Sequence, residues 1–280
     1  MDFQKSVTEI IKSRYSCRTF DSKNIENETL NKLNDYIEKI NDEAKSAKIN
    51  LRFLYVSSKE NSNKSINKLG TYGVISGAES FIIGIADKDN HDALKFGYLY
   101  EKLILFATDL GLNTCWLGGT FNKNDFQQNS SLLENEFIPI VSPVGYKKSK
   151  PRIFETAMRA VVGANNRKPW NELFFDENIS KPLNESADKY VVPLQMVRLG
   201  PSASNKQPWR IIKNKNMYHF FICRTKGYGV MSYDMQINDI GIAMCHFELS
   251  SNQLGLSGNW QKINNINNLE EWEYIISWVS

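Results

Sequence analysis

One pattern limits what this chain can fold into more than any other. Gly97 to Trp116 reads G-YLYEKLILFATD-LGL-NTC-W, and Gly241 to Trp260 reads G-IAMCHFELSSNQ-LGL-SGN-W. A glycine, a Leu-Gly-Leu triplet and a tryptophan recur at identical spacing, so the chain is an internal duplication. With 280 residues in all, each unit has about half the chain and enough length to bury a core. We place the boundary between an N-terminal unit, residues 1–160, and a C-terminal unit, residues 161–280.

Local patterning fills in these units. Phe3, Val7, Ile10 and Ile11 lie on one face of a short helix that should end near Arg14. A second helix is predicted from Glu28 to Lys45, with Leu30, Leu33, Ile37 and Ile40 buried. Strands are predicted at Leu51–Val56, Phe81–Ile85 and Ile138–Val144, the last held near a sheet edge by Pro139 and Pro143. Ser58 to Lys68 reads as a polar loop or a frayed helix. Phe96 to Leu110 forms a long apolar helix, stopped by Gly111. Pro169 to Tyr190 mixes prolines, acids and aromatics and is taken as the junction between the units. Beyond it come a helix (Pro193–Leu199), strands at Trp209–Lys213 and Tyr218–Cys223, a helix (Asp239–Leu254) and a last strand, Tyr274–Val279. The class is α+β.

Composition excludes several functions. Lysine and arginine number 34 against 31 aspartates and glutamates, too slight an excess to draw nucleic acid or an anionic membrane. No segment has the length and apolarity to span a bilayer, and Met1 to Lys12 carries Asp2 and Glu9 where a signal peptide would be apolar. Cys17, Cys115, Cys223 and Cys245 are scattered, with no C-x-x-C pair and no histidine at zinc-ligand spacing. Reduced thiols, a cytoplasmic location, no metal, and no nucleic-acid or membrane partner are the expectations. The usual dinucleotide-binding, P-loop, zincin and serine-hydrolase motifs are absent. His246 lies within the second repeat helix, where a lone histidine is more often packed and hydrogen-bonded than catalytic.

Four segments carry polar chemistry. Arg14-x-Ser16-x-Arg18 sets two guanidinium groups and a hydroxyl at a helix end, enough to hold a phosphate or a polarised carbonyl, although cations there also cap helix carbonyls. Trp116-Leu-Gly-Gly-Thr-Phe121 has paired glycines that let backbone N–H groups approach a ligand. Lys147, Lys148, Lys150 and Arg152 form a basic run. Pro201-Ser-Ala-Ser-Asn-Lys-Gln-Pro-Trp209 is too polar for a core and too specific for a linker.

Together, R-x-S-x-R, P-S-x-x-N-x-Q-P-W and the G-x-A…LGL-x-x-x-W helix resemble the flavin-dependent nitroreductase family over essentially the whole chain, and within it the single-chain members that fuse two family-like units. The resemblance implies a nitroreductase-like fold in which two tandem repeats form an intramolecular pseudo-dimer, so that the fused chain needs no partner subunit. It also implies FMN as cofactor and NAD(P)H as reductant, with a small-molecule electron acceptor such as a nitroaromatic or quinone reduced by a ping-pong mechanism. In the dimeric members one subunit supplies the R-x-S-x-R run, the loop after the LGL helix and a late basic pair; the other supplies the P-S-x-x-N segment. By that pattern Arg14, Tyr15, Ser16, Lys150 and Arg152, with Arg167 as an extra contact, would hold the ribityl phosphate. Arg18 would face the N1/O2 edge of the ring, and in the cofactor-binding loop Leu117-Gly118-Gly119 a backbone N–H from Gly118 or Gly119 would reach N5. Pro201, Ser202 and Asn205 would close over the ring, with Tyr72 at its edge. No catalytic side chain is required.

The reciprocal set is missing. Asn41 to Asn50 stands where the first unit should have its P-S-x-x-N segment, and no basic tail follows the last strand. One FMN per chain, between the units, is therefore expected. Two departures from the family bear on its chemistry: no acid precedes the Gly118-Gly119 pair, and Ala203 replaces a common hydroxyl. The alternatives are a flavin sensor or store without turnover, or another reaction of the superfamily such as reductive dehalogenation.

Overall fold

The structure, a computed structural model, describes residues 2–58, 70–186, 188–226 and 233–280. In the first unit, helix α1 (Val7–Ser13) and helix α2 (Asn27–Ser46) precede strands β1 (Leu51–Ser57) and β2 (Ser80–Asp87). Helix α3 (Ala93–Asp109), the two-residue β3 (Asn113–Thr114), α4 (Lys123–Gln128) and β4 (Glu136–Gly145) follow. Helix α5 (Ile153–Val161) leads to the second unit: β5 (Phe174–Asp176), β6 (Asn178–Pro182), α6 (Val191–Leu199), β7 (Trp209–Asn214), β8 (Met217–Cys223), α7 (Met235–Gln253), β9 (Asn259–Gln261) and β10 (Trp272–Val279). Beyond Ser58, the predicted polar loop lies outside the described residues.

The duplication is visible in the sheets. The first has strand order β1-β2-β4-β3; the second contains β7-β8-β10-β9, which is the same order, extended beyond β7 by β5 and β6. Two repeats thus form an intramolecular pseudo-dimer of mixed α+β class. The stretch read as a junction holds the β5–β6 hairpin, and β5 runs parallel to β7 through Phe174↔Ile211. Three and five residues are too short for periodicity to reveal a strand. β4 is an interior strand between β2 and β3, not the edge strand expected from its prolines. Val141 exchanges both backbone bonds with Leu117, so Pro143, two residues on, turns its missing N–H toward that sparsely paired flank, and Pro139 falls in the register shift between Ile140 and Phe137.

Helices α3 and α7 pack against each other at the centre, and the repeat glycines explain how closely. A Cβ on Gly97 would stand 2.3 Å from the Asn238 carbonyl oxygen; one on Gly241 would stand 2.2 Å from that of Leu94. Leu94 and Asn238 each lie three positions before their own repeat glycine, so the contact is reciprocal, as at a two-fold interface. Both helices are consequently buried nearly all round, α3 from Phe96 to Asp109 and α7 from Gln236 to Ser251. The two Leu-Gly-Leu glycines, Gly111 and Gly255, end these helices at φ +82° and +71°.

The repeat tryptophans have a matching explanation. Trp116 donates its indole N–H to Glu101 Oε2 at 2.9 Å, and Trp260 donates to Glu248 Oε2 at 2.7 Å. Each thereby ties its unit's returning chain to the central helix pair. Polar bonds also cross that pair: Tyr98 donates its hydroxyl proton to Glu248 Oε2, and His246 Nε2 lies 2.9 Å from Glu101 Oε1. Since the Met196 carbonyl can only accept, His246 Nδ1 is the donor to it, which leaves Nε2 facing Glu101. His246 is packed and hydrogen-bonded, as expected of a lone helix histidine.

Backbone proximity and backbone angle can be separated by mutation. Gly241→Ala must push two helices apart and is expected to cost roughly 2–3 kcal/mol, the range for overpacking a core. Gly111→Ala meets nothing within 4 Å and should cost only the left-handed strain of about 1 kcal/mol. Urea unfolding of both variants tests the order, and an equal cost would contradict the close-contact account.

Candidate functional site

A cavity of about 610 Å³ opens between the units, within the size range of small-molecule sites. Its walls come from five places: the end of α1 through Arg18; the segment 116–120 after β3; α5 and the loop behind it; the segment 199–205 after α6; and the first turns of α7. The α3–α7 contact sets these walls opposite one another, since α7 and the 199–205 segment belong to the second unit and the other three walls adjoin the first.

Of the residues singled out in the sequence, Arg14, Tyr15, Ser16, Arg18, Leu117, Gly118, Gly119, Arg167, Pro201, Ser202 and Asn205 line this cavity. Tyr72, Lys150 and Arg152 do not. Tyr72 is 71% exposed at φ +47°. Lys150 lies exposed in the turn after β4, and Lys147 and Lys148 face a neighbouring, more open cavity of about 620 Å³ that shares Tyr15 and Arg159 with this one. The Arg152 guanidinium donates to the Gly73 and Val74 carbonyls instead. Sequence reading missed Met158 and Arg159 of α5 and Val162 just after it, which line the cavity beside Lys12. A signal existed in the amphipathic pattern of α5, but not the direction in which its polar side chains would point.

The cation-rich wall is unusual in lacking counter-charge. Among the described residues, none of Arg14, Arg18, Arg159 or Arg167 forms an ion pair with a carboxylate, while Nε and Nη1 of Arg14 and Nε of Arg18 and of Arg167 are buried without a hydrogen-bond partner. Burial pulls the Arg14 guanidinium down from its ordinary range, opposed chiefly by Glu101. Arg167 is pulled down to about 10, first by burial and then by the charges of Arg14, Arg198 and Arg159. Buried N–H donors on crowded cations are costly unless an anion satisfies them. The donor set suits a phosphate, and Ile140, Met235, Val162 and Ile242 give the same cavity apolar surface for a flat ring. These residues fit a phosphorylated aromatic cofactor such as FMN.

The segment after α6 is strained and braced. Ser204, Asn205 and Gln207 all have positive φ, between 48° and 55°, at a cost on the order of 1–3 kcal/mol each. Asn205 donates its amide to the carbonyls of Gly163 and Asn166 at 2.7 and 3.0 Å, and Ser202 Oγ accepts the Gln207 N–H at 2.8 Å. Gln207 in turn accepts the Lys168 N–H. Asn205 therefore clasps the 163–167 loop against the segment after α6 and sets Arg167 at the cavity. Across from it, Gly118 packs on Met235, whose sulfur would stand 2.2 Å from a Cβ there.

Residues 6–251 match the family described as "Putative TM nitroreductase", and the chain belongs to this nitroreductase family. A nitroreductase structure from Thermotoga maritima, 18% identical, covers 98% of this chain and 94% of its own, with a TM-score of 0.57, and shows the fold. A nitroreductase family protein from Clostridium difficile is 23% identical over 59% of this chain and 94% of its own, TM-score 0.41. An FMN-dependent nitroreductase from the same species is 20% identical over 51% and 88%, TM-score 0.39. No curated protein matches the chain. Among the described residues no helix is long and apolar enough to cross a membrane, and no cluster of His, Cys, Asp or Glu is arranged to hold a metal.

The unpaired cations make a two-sided expectation. Arg14→Met removes buried donors without partners, so the ligand-free protein should unfold at a higher temperature, by the equivalent of about 1–3 kcal/mol. The same change should abolish any stabilisation by added inorganic phosphate. Scanning calorimetry with and without phosphate reads both, and a lower melting temperature with the phosphate effect intact would contradict the anion-site reading.

Proposed function

We propose that this protein is an FMN-dependent oxidoreductase that passes hydride equivalents from NAD(P)H to a nitroaromatic, quinone or similar acceptor by a ping-pong mechanism, with one flavin bound per chain between the two units. The observation that carries this reading is the cluster of Arg14, Arg18 and Arg167, without ion-pair partners among the described residues and each with a buried Nε donor left unpartnered, at one cavity that also presents the Gly118-Gly119 backbone and an apolar floor. Family membership supports the oxidoreductase class, and the FMN-dependent relative supports the choice of cofactor.

The bound flavin would supply two-electron hydride chemistry; the protein supplies placement and charge. Arg14, Ser16 and Arg167 hold the phosphate end, with Arg159 taking the part first assigned to Lys150 and Arg152. Arg18 would meet the pyrimidine edge of the ring, where a fixed cation would stabilise negative charge gained on reduction. The 116–119 backbone offers a N–H to the ring, and Pro201 and Ser202 cover it from the second unit. Because reductant and acceptor use one face in turn, the cavity needs room for only one of them at a time.

Anaerobic mixing of the FMN-loaded protein with NADH or NADPH should bleach the flavin's visible absorbance, and a quinone or nitroaromatic should restore it. Arg18→Gln should retain FMN within about tenfold yet slow the bleaching by about 10²-fold, the scale of losing one preorganised donor. Flavin that stays oxidised in the wild type with both nucleotides would favour a binding protein without turnover.

A further inference from the structure

The α7 wall of the cavity holds two polar side chains that the reading above does not use. Asp239 is 3% exposed, and both its oxygens lie near one donor, the Ala203 N–H, at 3.1 and 3.2 Å. No cation acts on it: besides burial, the only charge that shifts it is Asp234 on its own helix, and both raise it. Lys12, Arg14, Arg18, Arg159 and Arg167 face the same cavity from α1, the chain after it, α5 and the following loop, and none of them bonds to Asp239. Beside it Asn238, 2% exposed, accepts the Tyr233 hydroxyl at Oδ1, while among the described residues its Nδ2 has no partner. An acid and an unfilled amide donor therefore stand together on the wall of a ligand cavity.

The duplication argues against a merely architectural carboxyl. Asp239 lies two positions before Gly241; two positions before Gly97 the first unit has Lys95, whose ammonium sits 6.0 Å over the Tyr98 ring. The helix pairing is built with either residue, and the acid occurs on the side that faces the cavity.

We propose that Asp239 is the proton donor to the electron acceptor, and that Asn238 Nδ2 hydrogen bonds the acceptor's oxygen; the proposal rests on the oxidoreductase reading. Reduction of a quinone by NAD(P)H requires a hydride and one proton. The hydride brings both electrons and one hydrogen from the nicotinamide. The Asp239 O–H bond breaks to place the proton on the acceptor oxygen, and the carboxylate regains a proton from water. The nicotinamide is oxidised, the quinone is reduced, and one solvent proton is consumed. Burial pushes the Asp239 carboxyl well above the usual carboxylate range, which favours its acid form. Its proton is lost as pH rises through that raised value, so acceptor reduction should fall on the alkaline side.

Asp239→Asn keeps the shape and an acceptor for Ala203 while removing the acid. Infrared spectra of the flavin-free protein at neutral pH should show a protonated carboxyl band in the wild type that is missing from the variant. After loading, FMN affinity and the rate of NAD(P)H reduction should stay within a few-fold, because hydride delivery needs no proton. Reoxidation by a quinone should slow by about 10²-fold and lose its alkaline limb. Absence of the carboxyl band, or quinone reoxidation of the variant at the wild-type rate, overturns the proposal, and the wild-type spectrum decides alone if the variant does not fold. Wild-type flavin left oxidised by NAD(P)H would sink the oxidoreductase reading and this proposal with it, an outcome told apart because the failure precedes any acceptor.

Discussion

Everything at the site depends on the backbone contact between α3 and α7. Gly97 and Gly241 leave no room for a side chain, so each helix rests on the main chain of the other three residues ahead of the partner glycine. That contact places the first turns of α7 and the strained 201–207 segment opposite the arginines after α1. Glu101, fully buried, sits in the same interface and links His246 to Trp116, the residue that opens the 116–119 wall. A loss of packing at the helix pair would therefore be felt at the cavity even though neither glycine touches it.

The two halves keep one architecture and divide the chemistry unequally. Both conserve the strand order, the terminating glycine and an indole-to-glutamate bond. The polar segment with three positive-φ residues occurs only after α6, whereas in the first unit α2 runs to Ser46 and a short turn leads straight to β1. Asp239 and Lys95 differ in the same sense. A fused chain is free to do this, because neither half is constrained to serve both roles as an identical subunit would be.

Most of the framework was legible in the sequence. The long helices and central strands carry enough residues for periodicity to speak, and the repeat identified the elements that pair. The β5–β6 hairpin escaped because it is too short, and β3 for the same reason. At the site, motif residues bound to well-defined turns line one cavity, including Arg14, Arg18, Gly118 and Ser202. Lys150, Arg152 and Tyr72 did not, because a basic run in an exposed turn leaves side-chain direction to the tertiary structure: Arg152 is captured by the carbonyls of Gly73 and Val74. Arg159 and Asp239 were illegible for the complementary reason. Each sits on a helix whose sequence tells which residues share a face, but not which ligand cavity that face will line.

The central claim is that one cavity, shared by both halves, binds one flavin. Titration of the purified, flavin-free chain with FMN, followed by the quenching of flavin fluorescence to a stoichiometric end point, tests it most directly. The account predicts an end point of one flavin per chain. Two per chain would contradict the inequality of the halves, and none would contradict the cofactor reading of the arginine cluster itself.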